Sequence, residues 1–153
     1  MANTYQQVYI QAVFAVKYRG AVLDKEWRAN VFSVIGNLIN ETGCKTIIVN
    51  GVEDHVHCFF GLKPTVSISE LMKVVKAKSS KYINDNLLLL NRFEWQEGYG
   101  AFSYSHTQVG TIFNYIKNQE KHHAKATFHE EYQATLEDFA VPFEEKYLFE
   151  ELK

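Results

Sequence analysis

Residues 7–16 alternate, with Val8, Ile10, Ala12, Phe14 and Val16 on one side and Gln7, Tyr9 and Gln11 on the other. Neighbouring side chains of a strand point to opposite faces, so this pattern predicts a first strand with one buried face. The period then lengthens. Trp27, Val31, Val34, Ile35 and Leu38 recur at helical spacing, with Asp24 ahead of them as a cap and Gly43 behind them as a stop. Residues 45–49 and 54–60 predict two further strands, and Asn50-Gly51 between them predicts a hairpin turn, because both residues tolerate positive φ. Ser67-Ile68-Ser69-Glu70 matches a capping box and opens a second helix that packs through Ile68, Leu71, Met72, Val75 and Tyr82. After an irregular stretch near residues 91–100, residues 101–105 predict a fourth strand and residues 111–123 a third helix. The order of elements is that of a split βαβ, ferredoxin-like sandwich of the α+β class. It has a mostly antiparallel sheet, helices on one face and an added C-terminal helix with no place in that unit.

At 153 residues the chain is the size of one domain, and only two prolines interrupt it. No apolar run approaches the roughly 18 residues that span a bilayer. The first residues lack the basic and apolar segments of a signal peptide, which points to the cytoplasm and to reduced Cys44 and Cys58. The net charge of −2 excludes a protein that coats nucleic acid by bulk charge, but the charge is unevenly placed. Residues 1–126 hold 14 Lys and Arg against 10 Asp and Glu, and residues 127–153 hold 2 against 8. The expected organisation is a catalytic domain over residues 1–126, with residues 127–153 as an acidic tail of the same domain. A solvated acidic helix is the simplest reading of that tail.

The candidate chemistry centres on His55-Val56-His57. Two imidazoles at i and i+2 of a strand project from the same face and form a two-ligand metal platform. Chains with six histidines produce such a pair by chance, so its meaning depends on further donors. Tyr115 and Gln119, one turn apart on the predicted third helix, supply a phenol and an amide carbonyl. Two imidazoles and an amide oxygen make a three-ligand site with positions open to substrate oxygens.

With Asp54-His55-Val56-His57 and Tyr115-Ile116-Lys117-Asn118-Gln119 in this order, the chain resembles the HUH single-tyrosine transposases of small bacterial insertion sequences and of repeated palindromes. Supporting similarities are Phe14-Ala15-Val16-Lys17-Tyr18-Arg19, the helix over residues 69–81, and Phe93-Glu94-Trp95-Gln96-Glu97-Gly98-Tyr99. The resemblance implies an enzyme that cleaves and rejoins single-stranded DNA, with Tyr115 as nucleophile and a divalent cation on His55, His57 and Gln119. The cation is expected to be Mg²⁺, with Mn²⁺ as the alternative. It also implies a homodimer whose active sites are shared between subunits, and hairpin DNA as partner, with Lys73, Lys76, Lys78 and Lys81 of the second helix against its phosphates.

Two other classes compete with this reading. One is a non-catalytic nucleic-acid-binding module whose histidines are structural. The other is a metal-dependent hydrolase with no covalent step. Tyr99 and Tyr104 rank below Tyr115 as nucleophiles because neither has a helical Gln partner. His122 and His123 read as solvated, and Asp54 or Glu53 could orient a histidine by accepting from it, although Asp54 points away from His55 if the strand already includes it.

Overall fold

The computed structural model describes residues 5–17, 22–86, 88–123 and 126–142. Four strands, β1 (Tyr9–Ala15), β2 (Lys45–Gly51), β3 (His55–Gly61) and β4 (Gly100–Tyr104), form one sheet in the order β2-β3-β1-β4 with every pairing antiparallel. The helices α1 (Arg28–Glu41) and α2 (Ile68–Asp85) connect them in the split βαβ order. The expected α+β ferredoxin-like sandwich is therefore the observed fold. Tyr18 and Arg19, part of the sequence resemblance, lie outside the described residues.

The first face of the sheet is apolar. Ile10, Ala12 and Phe14 of β1 and Val56, Cys58 and Phe60 of β3 pack against Val31, Ile35 and Ile39 of α1 and Leu71, Met72 and Val75 of α2, all of them buried. Side chains of this size each contribute about 1.5–3 kcal/mol on full burial. Trp95 closes one end, its ring edge-on to Phe14 at 4.7 Å and its indole N–H donating to Ser79 Oγ at 2.9 Å. Ser67 caps α2 as expected, accepting from the Glu70 N–H at 3.1 Å. Asp24 caps a turn ahead of α1 rather than the helix itself, accepting from the Glu26 N–H at 2.9 Å.

The second face is covered as well, so β1 is buried on both sides rather than one. A 3-10 turn at His106–Gln108 leads into α3 (Val109–Lys117), α4 (Gln119–His123) and α5 (Phe128–Asp138). Phe128 and Leu136 of α5 bury Val13, Ala15 and Phe102 beneath them. The polar Gln11 on this face is buried, not solvated, because it is hydrogen-bonded to His57 and Tyr104.

Two local expectations change. The hairpin exists, but Asn50 and Gly51 are the last residues of β2 and the turn is made by residues 52–54. Gly51 is needed for space: a Cβ there would lie 2.2 Å from the His55 carbonyl oxygen. The helix expected over residues 111–123 is broken at Asn118. Asn50 Nδ2 donates to the carbonyls of Ile116 at 3.0 Å and Lys117 at 3.2 Å, and a side chain taking up the last carbonyls ends a helix. Asn50 faces α3 because of a register shift between Thr46 and Ile48. It makes Thr46 pair with Phe60 but Asn50 with His57.

Candidate active site and metal centre

β3 positions the histidines by alternation. Val56, Cys58 and Phe60 anchor the strand in the apolar face, so His55 and His57 must project from the other, where they are 0% and 3% exposed. Buried imidazoles need partners. His55 Nδ1–H donates to Asp54 Oδ1 at 2.7 Å, and His57 Nδ1–H donates to Gln11 Oε1 at 2.7 Å. Asp54 reaches His55 because it lies in the turn before the strand, where the alternation that would turn it away does not yet apply. These two bonds fix the tautomers so that both Nε2 atoms face the same space.

α3 and α4 bring the tyrosine and the amide to that space. Gln119, wholly buried, places Oε1 3.2 Å from His55 Nε2. The Tyr115 ring lies edge-on to His57 at 5.9 Å. The break at Asn118 is held by Asn50 and by Glu120, whose Oε1 accepts from Arg28 Nη2 at 2.7 Å and ties α4 to the start of α1. His55, His57, Tyr115 and Gln119 thus converge within one chain.

Three contributors were not legible as such. Glu131 of α5, in the stretch expected to be a solvated tail, is only 7% exposed and enters the centre of the site. Its Oε1 lies 3.4 Å from His55 Nε2, 3.2 Å from His57 Nε2 and 3.2 Å from His123 Nε2. Its Oε2 accepts from the Tyr115 hydroxyl, from Gln119 Nε2 at 3.3 Å and sits 3.3 Å from His122 Nε2. His123, its side chain 10% exposed, is therefore part of the site rather than solvated, while His122 reaches Glu131 with a side chain that is still 38% exposed. A signal for α5 was present: Thr127 and Glu130 form a capping box, and Phe128, Tyr132 and Leu136 make an apolar stripe that includes the Glu131 position. β4 makes room for α5 with a glycine, since a Cβ on Gly100 would stand 2.7 Å from the Tyr132 ring.

The electrostatics follow from this crowding. Burial alone would lower His55, but its bonds to Asp54 and Glu131 outweigh burial and the net shift is upward. Burial lowers His57, which keeps it neutral. Burial pushes Glu131 up, yet the hydrogen bonds from His123, His55 and His57 prevail and hold the carboxyl far below the usual range. Burial, then the adjacent Glu131 carboxylate, raises the Tyr115 phenol well above its usual value, so it is protonated at neutral pH.

One ligand atom from each of His55, His57, His123 and Glu131 lies within 4.8 Å of the others. The closest of these contacts are within hydrogen-bond reach, and the same imidazole, amide and carboxylate donors, turned toward one space, suit a divalent cation. The residues present fit a metal centre.

The four lysines of α2 lie across the sheet from this site. Lys73, Lys78 and Lys81 are exposed, and Lys81 pairs with Asp85. Lys76 donates to the carbonyls of Gln96 at 2.6 Å and Gly98 at 2.8 Å, and burial lowers its pKa. Tyr99 packs into the apolar face, and Tyr104 accepts a bond from Gln11 at 2.9 Å. Neither stands on the Gln119 helix.

Comparison with known proteins bears on the family and the fold. The chain is 28% identical over 124 residues to the transposase of insertion sequence element IS200 from Salmonella typhimurium, a match covering 78% of this chain and 81% of the relative. The Salmonella typhi IS200 transposase matches to the same extent. Two solved structures share the fold. One, a candidate transposase from Deinococcus radiodurans, has a TM-score of 0.62 at 21% identity, covering 78% of this chain and 95% of that one. The other, a REP-associated tyrosine transposase bound to a REP hairpin, has a TM-score of 0.59 at 12% identity, covering 98% and 93%. Residues 4–119 match the family model described as IS200-like transposase, and with His55, His57, Tyr115 and Gln119 all inside that span, the chain belongs to the IS200-like transposase family.

Proposed function

We propose that this transposase cleaves and rejoins single-stranded DNA at the ends of an insertion sequence, in the cytoplasm, through a 5′-phosphotyrosine on Tyr115. The observation that carries the reading is the convergence of the Tyr115 hydroxyl and the Gln119 amide on two histidines whose Nε2 atoms are both turned toward them. Tyr115 Oη attacks the scissile phosphorus, the bond from phosphorus to the 3′ oxygen breaks, the phenolic proton is lost, and the departing oxygen is protonated to a free 3′-hydroxyl. Attack by the 3′-hydroxyl of another end on the phosphotyrosine reverses the step and rejoins strands without a nucleotide energy source. His55, His57 and Gln119 would hold a divalent cation, Mg²⁺ or alternatively Mn²⁺, which supplies polarisation of the phosphate and neutralisation of its developing charge. Asp54 and Gln11 keep the two imidazoles in the ligating tautomer.

The DNA partner is proposed to be a hairpin at the element ends, its phosphates met by Lys73, Lys76, Lys78 and Lys81. Replacing Lys73 and Lys78 should flatten the salt dependence of hairpin binding, and an unchanged slope would remove α2 from the interface. A homodimer is proposed with it. The arrangement described within one chain becomes a shared site if two copies exchange the segment from α3 onward. The heterodimer of Tyr115→Phe and His57→Ala subunits should then recover about half the activity, because one of its two exchanged sites carries neither change; no recovery means that each chain serves its own site.

The deciding experiment incubates the protein with Mg²⁺ or Mn²⁺ and a labelled single-stranded hairpin oligonucleotide, followed by a denaturing gel. A covalent adduct that disappears in Tyr115→Phe is expected. Cleavage without an adduct would favour a hydrolase, and binding without cleavage a recognition module.

A further inference from the structure

We infer that Glu131 is a fourth metal ligand, a bridging carboxylate that binds the cation through Oε1 and holds the nucleophile Tyr115 beside it through Oε2. This rests on the metal-assisted reading above and adds a residue to it. Glu131 lies beyond residues 4–119, the part matched by the family, on a helix that this chain folds back over its own sheet.

The distances carry the assignment. In an octahedral centre with bonds of about 2.1 Å, adjacent ligand atoms stand about 3.0 Å apart and opposite ones about 4.2 Å. His57 Nε2 to Glu131 Oε1 is 3.2 Å, His55 Nε2 to Glu131 Oε1 is 3.4 Å, and His55 Nε2 to Gln119 Oε1 is 3.2 Å. These three separations are those of adjacent corners of an octahedron, and four protein ligands would leave two corners for a phosphate oxygen and water. A hard divalent cation favours an anionic oxygen over a third neutral donor, and Glu131 is the one carboxylate oxygen donor in the cluster. The carboxylate is also aimed. The Thr127–Glu130 box starts α5, Phe128 stacks on the His55 ring at 3.9 Å, and His123 Nε2 contacts the same Oε1 at 3.2 Å. With Oε1 on the metal side, Oε2 is left to accept from the Tyr115 hydroxyl. One side chain thereby sets the separation between cation and attacking oxygen.

The test is Mn²⁺ titration of the full chain, followed by calorimetry and by the spin-resonance signal of free Mn²⁺, for wild type, Glu131→Gln and His57→Ala. Glu131→Gln should weaken Mn²⁺ binding about 10-fold or more, with the metal-free melting transition retained. Binding within twofold of wild type in Glu131→Gln, while His57→Ala loses it, would overturn the role of Glu131 and leave the metal-assisted reading standing. A wild type that binds no Mn²⁺ would overturn both. Crystals of the wild-type protein soaked in MnCl₂ give an answer that needs no variant. An anomalous peak about 2 Å from Glu131 Oε1 supports the bridge, and one beyond about 3.5 Å from both carboxylate oxygens removes it.

Discussion

The two faces of this sheet are built by the same strands to opposite rules. On the α1 and α2 side, Phe14, Phe60, Ile35 and Val75 are held by shape and apolar area, and the Trp95–Ser79 pair at the margin is a side-chain match apart from them. On the α3 to α5 side, His55, His57, Gln11, Gln119 and Glu131 are buried equally well but are held by reciprocal hydrogen bonds. A core of the first kind tolerates repacking, whereas one of the second kind loses function when a single partner goes, because the remaining polar groups stay buried without their mates. The apolar face supplies the rigidity that the polar face needs to keep its donors aimed.

Substitutions on each side sharpen this division. Phe60→Ala should cost about 3–5 kcal/mol of folding stability by denaturant titration, yet leave Mn²⁺ affinity of the folded molecules unchanged. A matching loss of affinity would show that the faces are not separable. Gln11→Met keeps the length of the side chain but removes the acceptor of the His57 Nδ1–H. We expect about 10- to 100-fold weaker Mn²⁺ binding in calorimetry, with a smaller loss of stability of about 1–3 kcal/mol. Unchanged affinity would mean that the tautomer is set in another way. Gly100→Ala pushes a methyl into the Tyr132 ring at a cost of about 1 kcal/mol, and should lower adduct yield more than stability because α5 carries Glu131. The smallest effect belongs to Cys44 and Cys58, both free and buried, with burial pushing the Cys58 thiol up. Neither should react with an aromatic disulfide reagent at pH 8 until the chain unfolds. Fast labelling would mean that the apolar face opens.

The apolar face was the easier to read. Period 2 in residues 7–16, period 3.6 through Trp27 to Leu38, and the Ser67 cap are local signals, and they sufficed for the sheet, α1 and α2. His55, His57, Tyr115 and Gln119 were singled out because their spacing and order resemble a family pattern, and the structure brings the four side chains together. The polar face otherwise hid itself. Gln11 looks like a solvated residue unless its two distant partners are known, and Glu131 looks like one charge of an acidic tail. The break at Asn118 depends on Asn50, more than sixty residues away, and local periodicity carries no trace of a contact at that range. Asp54 was left open for a smaller reason, since its reach to His55 turned on whether β3 begins at residue 54 or 55.

The register shift in β2 reaches further than the strand itself. Were the same residues paired without the shift, the register of Thr46 would set Asn50 opposite Val56, on the side of α1, and release the end of α3. The site is therefore sensitive to the parity of chain length as well as to composition. Deleting Ile47 removes the extra residue but leaves Thr46 opposite Phe60 and Asn50 opposite His57, so adduct formation should survive it, whereas a further residue inserted between Ile48 and Asn50 should abolish it. The turn over residues 52–54 is a poor place for an insertion, because Val52 and Asp54 are buried in it and its Glu53 and Asp54 carbonyls accept from the Leu23 and Val16 N–H groups.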